Sequence, residues 1–213
     1  MLGVAQMAPK LDRWLRLGAL VFIASMLCNT AGFARTEPIG RVVEQVGDVT
    51  LVSLDRVRQS RAGIDVEGDD RVVTGAGAKV LIQLKDGSTL AIGPESELAL
   101  ADLNAPQGGW LELVRGIVRF ILSPGARSGE VGVRTRAAVA SVRSTEFVVE
   151  ALPDRTAIFV VQGQVEVTGR LTGSKLALGP GEGTDVALHE APTAPKRWGT
   201  KRVQDVMTRT TLP

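Results

Sequence analysis

The sequence predicts an all-β fold between residues 39 and 188, and three observations support this. No window there shows a long apolar stripe at the 3.6-residue period of a helix. Short alternating runs rich in Val, Ile and Leu recur instead. Glycine turns separate these runs, and the chain has 24 glycines. We expect a single domain of short strands and glycine turns, arranged as a solenoid-like β-stack or a two-sheet sandwich.

The first element that can be tested is a hairpin formed by residues 80–84 and 88–92. A three-residue loop pairs Ile82 with Leu90 and places all five apolar residues on one face, whereas a two-residue loop divides them between two faces. A register slip of one residue would move every side chain of the strand to the opposite face of the sheet, so the pattern favours the longer loop. Such a loop requires a positive φ at Gly87.

Two further segments are centred on Arg115-Gly116 and Gln162-Gly163, and in both the glycine lies two residues before a valine expected in the core. Gly47 before Val49 is a fainter third copy of this pattern. As hairpins with two-residue turns, each would gather four apolar residues on one face. These are Leu111, Leu113, Val118 and Phe120 in the first segment, and Ile158, Val160, Val165 and Val167 in the second. The first hairpin would also place Glu112 opposite Arg119. Alternatively, each glycine bends a continuous strand at a solenoid corner, and the pattern alone does not separate the two.

The N-terminal residues 1–34 are typical of a secretory signal peptide. Lys10, Arg13 and Arg16 precede an apolar run over residues 17–27, which is too short to span a bilayer, and small residues precede Arg35. We expect cleavage before Arg35 and a periplasmic protein, with an uncleaved signal anchor in the inner membrane as the alternative. The only cysteine, Cys28, lies in this segment, so the mature chain has no disulfide scaffold, thiol nucleophile or cysteine-based zinc site.

The predicted domain covers residues 35–190, and a basic tail with prolines covers residues 191–213. A short helix is conceivable near residues 201–208, with Val203, Val206 and Met207 on one side; alone it would be marginal. The formal charge of +2 divides into +2 in the signal segment, −4 in the domain and +4 in the tail. The mature protein is therefore neutral, and its tail would pack against its own domain, a partner or an anionic surface.

The sequence offers little support for catalysis or for a metal site. His189 is the only histidine and is interpreted as an exposed residue at the end of the domain. The acidic cluster at residues 65–70 lacks the spacing of a calcium loop and is interpreted as a solvated turn. The glycine-rich segments 169–175 and 179–183 lack phosphate-loop spacing and are interpreted as β-turns. Few aromatic residues accompany Arg134, Arg136 and Arg143, so we expect no nucleic-acid partner. We expect no enzyme, no cofactor and no metal.

Six motifs follow one another along the chain, at residues 68–75 (GDDRVVTG), 80–84, 86–93 (DGSTLAIG), 113–120, 133–149 and 160–167. Taken in this order, they resemble the FecR domain, found in periplasmic sensors of iron dicitrate. The resemblance covers roughly residues 40–186. The residues that match its pattern, as structural or interaction candidates, are Thr74, Asp86, Gly87, Gly93, Gly116, Val118, Arg143, Thr145, Phe147, Gly163 and Val165. One departure is Ser144, which stands where the family pattern has glycine.

The resemblance implies a non-enzymatic envelope domain that signals through protein contacts. The implied partner is an envelope protein such as a TonB-dependent receptor, with a link to iron uptake or cell-surface signalling, and exposed sheet edges are natural docking sites. Only a short segment precedes the apolar run, so we expect no part that would hold a sigma factor. The alternative function is a carbohydrate- or peptidoglycan-binding β-domain, for which Trp110 would supply an aromatic platform.

Overall fold

Strands dominate the part of the chain that the structure, a computed structural model, describes: residues 37–103, 108–125, 130–142 and 145–213. The strands are β1 Pro38–Val46, β2 Val49–Val52, β3 Val57–Gln59, β4 Asp65–Glu67, β5 Arg71–Thr74, β6 Lys79–Leu84, β7 Thr89–Ile92, β8 Glu97–Asp102, β9 Gly108–Ile121, β10 Glu130–Arg134, β11 Ala138–Val142, β12 Glu146–Ala151, β13 Arg155–Gln162, β14 Val165–Gly169, β15 Lys175–Leu178, β16 Glu182–Ala187 and β17 Lys196–Arg197. A single helix of these residues, α1, spans Thr200–Thr210. The predicted all-β class is confirmed.

The strand pairings form two sheets that share β9. Sheet A has the order β4-β1-β6-β7-β9-β12-β13-β16-β17. Sheet B has the order β3-β2-β5-β8-β9-β10-β11-β14-β15. The C-terminal half of β9 lies in sheet A and its N-terminal half in sheet B, and its pairing with β10 is parallel. Both sheets stay open at their edges.

The chain passes between the two sheets at corners, and these corners form two rows. In residues 38–121 the crossings β1–β2, β5–β6, β7–β8 and the middle of β9 lie at one end of the strands. The β4–β5 crossing of this half lies at the opposite end, because Glu67 pairs with Pro38 and Arg71 with Val52. In residues 130–187 the crossings β11–β12, β13–β14 and β15–β16 lie at that opposite end too. Each half therefore places most of its corners at one end of the strands and most of its described loops at the other end.

The hydrophobic core lies between the sheets, because one cluster of buried side chains draws on both. Sheet A contributes Val42, Ile82 and Phe120, and sheet B contributes Leu51 and Leu98. Phe120 packs against Phe147 of the neighbouring strand, with ring centroids 5.9 Å apart. The architecture thus combines the predicted alternatives, since two packed sheets are joined by corners at successive levels.

The hairpin at residues 80–92 has the predicted register. Ile82 pairs with Leu90 and Val80 with Ile92, and the apolar face is buried. Gly87 has a φ of +83°, as the three-residue loop requires. The argument from burial of one face is therefore confirmed for this element.

The two-residue hairpins predicted at Gly116 and Gly163 are wrong, and the solenoid-corner alternative is right. Gly116 lies inside the continuous strand β9, with a φ of +90°. Gly163 connects β13 of sheet A to β14 of sheet B, which pair with other strands. Gly47 makes the same transition between β1 and β2. The eight apolar residues expected on shared faces are nevertheless all in the core, because both conformations direct them inward.

The predicted cross-strand pair of Glu112 and Arg119 is wrong for the same reason. Because β9 does not fold back on itself, Glu112 lies opposite Ala99 and Arg134 in sheet B. Arg119 lies in sheet A, where its Nε donates a hydrogen bond to Glu146 over 2.7 Å.

The C-terminal segment packs on the domain. Strand β17 pairs with β16, and α1 begins three residues later. This helix lies on the outer face of sheet A, so that the tail packs against its own domain, the first of the three expected arrangements. The described residues form one compact unit. None of their helices is long and apolar enough to cross a membrane.

Candidate functional site

Three of the predicted motif residues meet at the first row of corners. The Thr74 hydroxyl donates to the carbonyl of Gly93 over 2.7 Å and accepts from the amide of Ser96 over 2.8 Å. The Ser96 hydroxyl accepts from the Ile117 amide over 2.9 Å. Gly116 passes so close to Ser96 that a Cβ there would collide with it. These residues join β5, β7, β8 and β9, so their role is to form the corners.

The second row of corners holds a further group of motif residues. The buried Thr145 hydroxyl donates to the Gln164 carbonyl over 3.0 Å, next to Gly163 with its φ of +88°. Phe147 and Val165 continue from this corner into the core, as does Val118 from the first row. Arg143 and Ser144 lie outside the described residues.

Asp86 and Gly87 form the tip of the β6–β7 hairpin. The Asp86 carboxylate accepts a hydrogen bond from the Ser88 amide over 2.8 Å, which fixes the turn. The motif residues that the structure describes thus form corners, a turn and the core rather than a single exposed site. A surface for a partner has to be sought on other residues.

The residues considered for chemistry stay dispersed. His189 is exposed at the end of the domain, as expected. Within the described ranges, no group of three or more His, Cys, Asp and Glu side chains is placed to hold a metal ion. The segments 169–175 and 179–183 are turns between strands, as the sequence predicts, with positive φ at Gly173 and Gly181.

The sheet edges differ sharply in what they expose. Among the described strands, β4, β15 and β17 each present charged side chains: Asp65, Lys175, and Lys196 with Arg197. Charges on an edge strand oppose the addition of another strand. The fourth edge, β3, exposes the uncharged Val57 and Gln59 on either side of Arg58. This edge is therefore the one best suited to pair with a strand from another protein.

The hairpin that carries this edge, residues 49–59, also exposes apolar side chains at its tip. We call it the edge hairpin. Leu54 is fully exposed and Val57 is 71% exposed, the two highest values among the large apolar residues that stay exposed in the described chain. A tight turn cannot bury the side chain at its tip, so Leu54 beside Asp55 was the signal in the sequence that our reasoning missed.

Buried ion pairs anchor the edge hairpin to the neighbouring strands. The Arg58 guanidinium donates to both carboxylate oxygens of Asp70 over 2.8 and 2.6 Å, and Arg56 pairs with Glu67. Asp70 is 1% and Glu67 is 6% exposed. The Asp70 carboxylate also accepts from the amide of Glu67 over 2.7 Å. The interpretation of this acidic cluster as a solvated turn is therefore wrong for Glu67 and Asp70, because two arginines of β3 and its turn neutralise these carboxylates as they become buried, whereas Asp65 is exposed as predicted.

The aromatic platform considered for sugar binding is partly occupied. Trp110 lies half-buried in the sheet B part of β9, and the Arg134 guanidinium covers its ring 4.3 Å from the centroid. Gly132 lies directly beside the indole, where a Cβ would be only 3.0 Å from it. A ring face that already stacks on a guanidinium is not free to stack on a sugar.

Comparisons with known proteins agree with this fold. Residues 70–166 match the model of the FecR protein family, which confirms the resemblance over this part of the chain. Two crystal structures of a candidate anti-sigma factor from Parabacteroides distasonis, at 2.50 and 1.65 Å resolution, share the fold with a TM-score of 0.55 and 21% identity. The alignment covers 64% of this chain and 63% or 64% of those chains, less than two thirds of their length. No curated protein matches the chain.

Proposed function

We propose that this protein is a non-enzymatic regulatory module that binds a partner protein in the bacterial envelope. The observation that carries this proposal is the match of residues 70–166 to the model of the FecR protein family. Proteins of this kind act in signalling through contacts with other proteins rather than by catalysis. The N-terminal signal pattern supports a periplasmic location, where the partner would be an envelope protein such as a TonB-dependent receptor and the signal would concern iron uptake or the cell surface.

The edge hairpin is the docking site that the geometry supports best. Its strand β3 has a free backbone edge in the described structure, so a partner can add a strand through main-chain hydrogen bonds. Leu54 and Val57 would contribute apolar contact beside that added strand. The ion pairs of Arg56 and Arg58 hold the hairpin in place before binding, which lowers the ordering cost of association.

A crosslinking experiment in cells tests both the function and the site. The tagged protein carries a photoreactive residue at Gln59, which is exposed on β3, and its crosslinked partner is identified after purification. We expect one envelope protein as the main product. Leu54→Asp and Val57→Asp should each reduce its yield about tenfold or more, because each would place a charge in an apolar contact.

Leu171→Asp is the matched control. Leu171 is 64% exposed in the β14–β15 turn, where the chain meets no proposed partner. Its replacement should leave the crosslink unchanged. Equal yields from all three variants would exclude the edge hairpin as the docking site, and a protein that forms no specific crosslink in its own compartment would contradict the proposed function.

A further inference from the structure

A second apolar cluster, separate from the main core, lies on the outer face of sheet A. Ile117, Val148 and Phe159 form its floor on three neighbouring strands, and Val206 of α1 lies over them. Trp198 and Met207 border the cluster from the same C-terminal segment. Without this segment, the three floor residues would form an exposed apolar patch, which is a common mark of a protein-binding surface. We call residues 196–213 the cover and the patch beneath them the covered face.

The covered face fits an indole closely. Trp198 stacks on Phe159 with centroids 5.0 Å apart and planes inclined by 20°. Gly183 provides the space, since a Cβ at that position would collide with the indole. The Arg202 guanidinium lies over the Trp198 ring at 3.6 Å. A second close approach occurs at Gly93, where a Cβ would be 2.8 Å from the carbonyl oxygen of Arg209.

Charge on the face is complementary to charge on the cover. Arg202 makes two contacts to the carboxylate of Asp185, at 2.6 and 3.0 Å, and Arg209 contacts Glu150 at 2.7 Å. Asp185 and Glu150 belong to a domain of net charge −4, whereas the segment after residue 191 carries +4. The face therefore selects a helix with arginines on the same side as its apolar residues.

The cover is fastened weakly at the N-terminal end of α1, whereas at the C-terminal end Lys79 of β6 donates hydrogen bonds to the carbonyls of Thr208 and Thr211 over 2.6 and 2.8 Å. Only Val206 and Thr210 are buried among the eleven residues of α1. Its first turn lacks an acidic residue, and no side chain caps its N-terminus, which begins after Gly199. The side chains of the Arg202–Asp185 pair are 41% and 34% exposed, so this ion pair adds little. A helix of this length is marginal alone, and the cover should open without unfolding of the sheets.

We propose that the covered face is a second docking surface, and that its partner presents a basic amphipathic helix preceded by an aromatic residue. The cover is the intramolecular occupant of that surface, and a partner helix of the same chemistry displaces it. This inference rests on the proposed function, because it assigns a second contact to a protein-binding domain. The surface then becomes available only when the partner competes successfully with the cover.

Hydrogen exchange of the full wild-type chain tests whether the cover opens. We expect the amides of residues 203–210 to exchange about a hundredfold faster than those of β9, β12 and β13, through local opening. If all four elements exchange at one rate, the helix belongs to the cooperative core and the proposal fails. This measurement requires no variant.

A peptide of residues 192–213 with a fluorescent label tests whether the face accepts a helix from another molecule. Val206→Asp in the full chain should release the cover, and that chain should bind the peptide at least about tenfold more tightly than the wild-type chain, whose own cover competes. Gln204→Asp is the matched control, because Gln204 is exposed on the same helix and the charge change is the same. The same peptide with Asp at position 206 should not bind.

The outcomes separate this proposal from the proposed function. A Val206→Asp chain that melts cooperatively and binds no peptide would overturn the second docking surface while leaving the crosslink at Gln59 unaffected. If Val206→Asp does not fold, Trp198→Ala takes its place, since it shortens a half-buried side chain outside the main core. Conversely, loss of the Gln59 crosslink would contradict the edge hairpin without changing peptide binding to sheet A.

Discussion

At the scale of single residues, the corners depend on positions where a side chain has no room. Gly116 combines a φ of +90° with a contact to Ser96 that leaves no space for a Cβ. Gly77 also has a positive φ, +71°, but nothing lies within 4 Å of its Cβ position. Alanine substitutions at Gly116 and Gly77 therefore separate the energetic cost of backbone strain from the cost of steric exclusion.

Gly116→Ala should destabilise the protein by about 3 kcal/mol or more, since it adds overpacking to an unfavourable φ. Gly77→Ala should cost only about 1 kcal/mol, from φ strain alone. Urea unfolding of both variants and the wild type gives the comparison. Equal losses would show that the corner at Ser96 relaxes to accept a methyl group.

The carboxylate of Glu97 links stability to pH. Hydrogen bonding from Arg71 lowers the pKa of Glu97 below its ordinary value of 4.5; burial opposes this, and Arg115 adds to the lowering. A carboxyl whose pKa is lower in the folded state stabilises that state above the unfolded pKa. This stabilisation is lost as the pH falls through the folded pKa.

Glu97→Gln should therefore lower the free energy of unfolding by about 0.5 to 1 kcal/mol at pH 7, the scale of a partly exposed ion pair. The difference from the wild type should shrink as the pH falls below 4.5 and then through the lowered pKa of Glu97 in the folded protein. Urea titrations at several pH values provide the measurement, with Glu112→Gln on the same sheet as the exposed control. A difference that stays constant over the whole acid titration would show that the loss does not arise from the charge.

At the scale of elements, the edge hairpin is held by charge rather than by apolar packing at its tip. Asp70 is almost fully buried and contacts Arg58, whereas Asp65 is half exposed and contacts Arg41 over 3.0 Å. The two aspartates lie five residues apart and allow a direct comparison of a buried and an exposed pair.

Asp70→Asn should cost roughly 3 kcal/mol, because it removes the close counterion of the half-buried Arg58 and leaves only Glu67 at 3.9 Å. Asp65→Asn should cost less than about 1 kcal/mol. Thermal unfolding measures the loss, and hydrogen exchange at residues 57–59 shows whether the hairpin loosens first. If both substitutions cost the same, the hairpin does not depend on the buried pair.

The same elements show how far the sequence determines the fold. The β6–β7 register follows from the sequence because burial of one face distinguishes a three-residue loop from a two-residue loop. At Gly116 and Gly163 a hairpin and a corner demand the same local residues, a glycine with positive φ between inward-facing apolar positions. The difference lies in long-range pairings such as Leu113 with Leu98, which no local pattern contains.

The candidate sites were less accessible to sequence reasoning than the fold. The motif residues indicate the family whose model matches residues 70–166, yet in the structure Thr74 and Thr145 form the corners. The edge hairpin at residues 49–59 contains none of the motifs, so the motifs could not indicate it. The helix near residues 201–208 was correctly anticipated, but its target on sheet A depends on Gly183 and Phe159, which are distant in sequence.

At the scale of the whole molecule, opposite charges join the C-terminal segment to the domain. Residues 35–213 are neutral only because +4 after residue 191 balances −4 before it. Screening at high ionic strength weakens exposed pairs such as Arg202 with Asp185, while the apolar contact of Val206 persists.

Raising the salt from 0.05 to 1 M should therefore speed amide exchange in α1 about threefold to tenfold, because screening weakens the exposed pair of Arg202 with Asp185 most and the less exposed pair of Arg209 with Glu150 less. Exchange in the strands of both sheets should change little. Hydrogen exchange at the two salt concentrations makes the comparison. An unchanged rate in α1 would mean that apolar contact alone holds the helix.

The opposed rows of corners divide the surface between the two halves of the chain. Most described loops of residues 38–121 emerge at the end that holds the corners of the second half, and the described loops of residues 130–187 emerge at the other end. An insertion in one set lengthens one pole of the molecule and leaves the opposite pole untouched. The architecture is thus a two-ended scaffold, on which loops can be grafted or diversified at either pole independently.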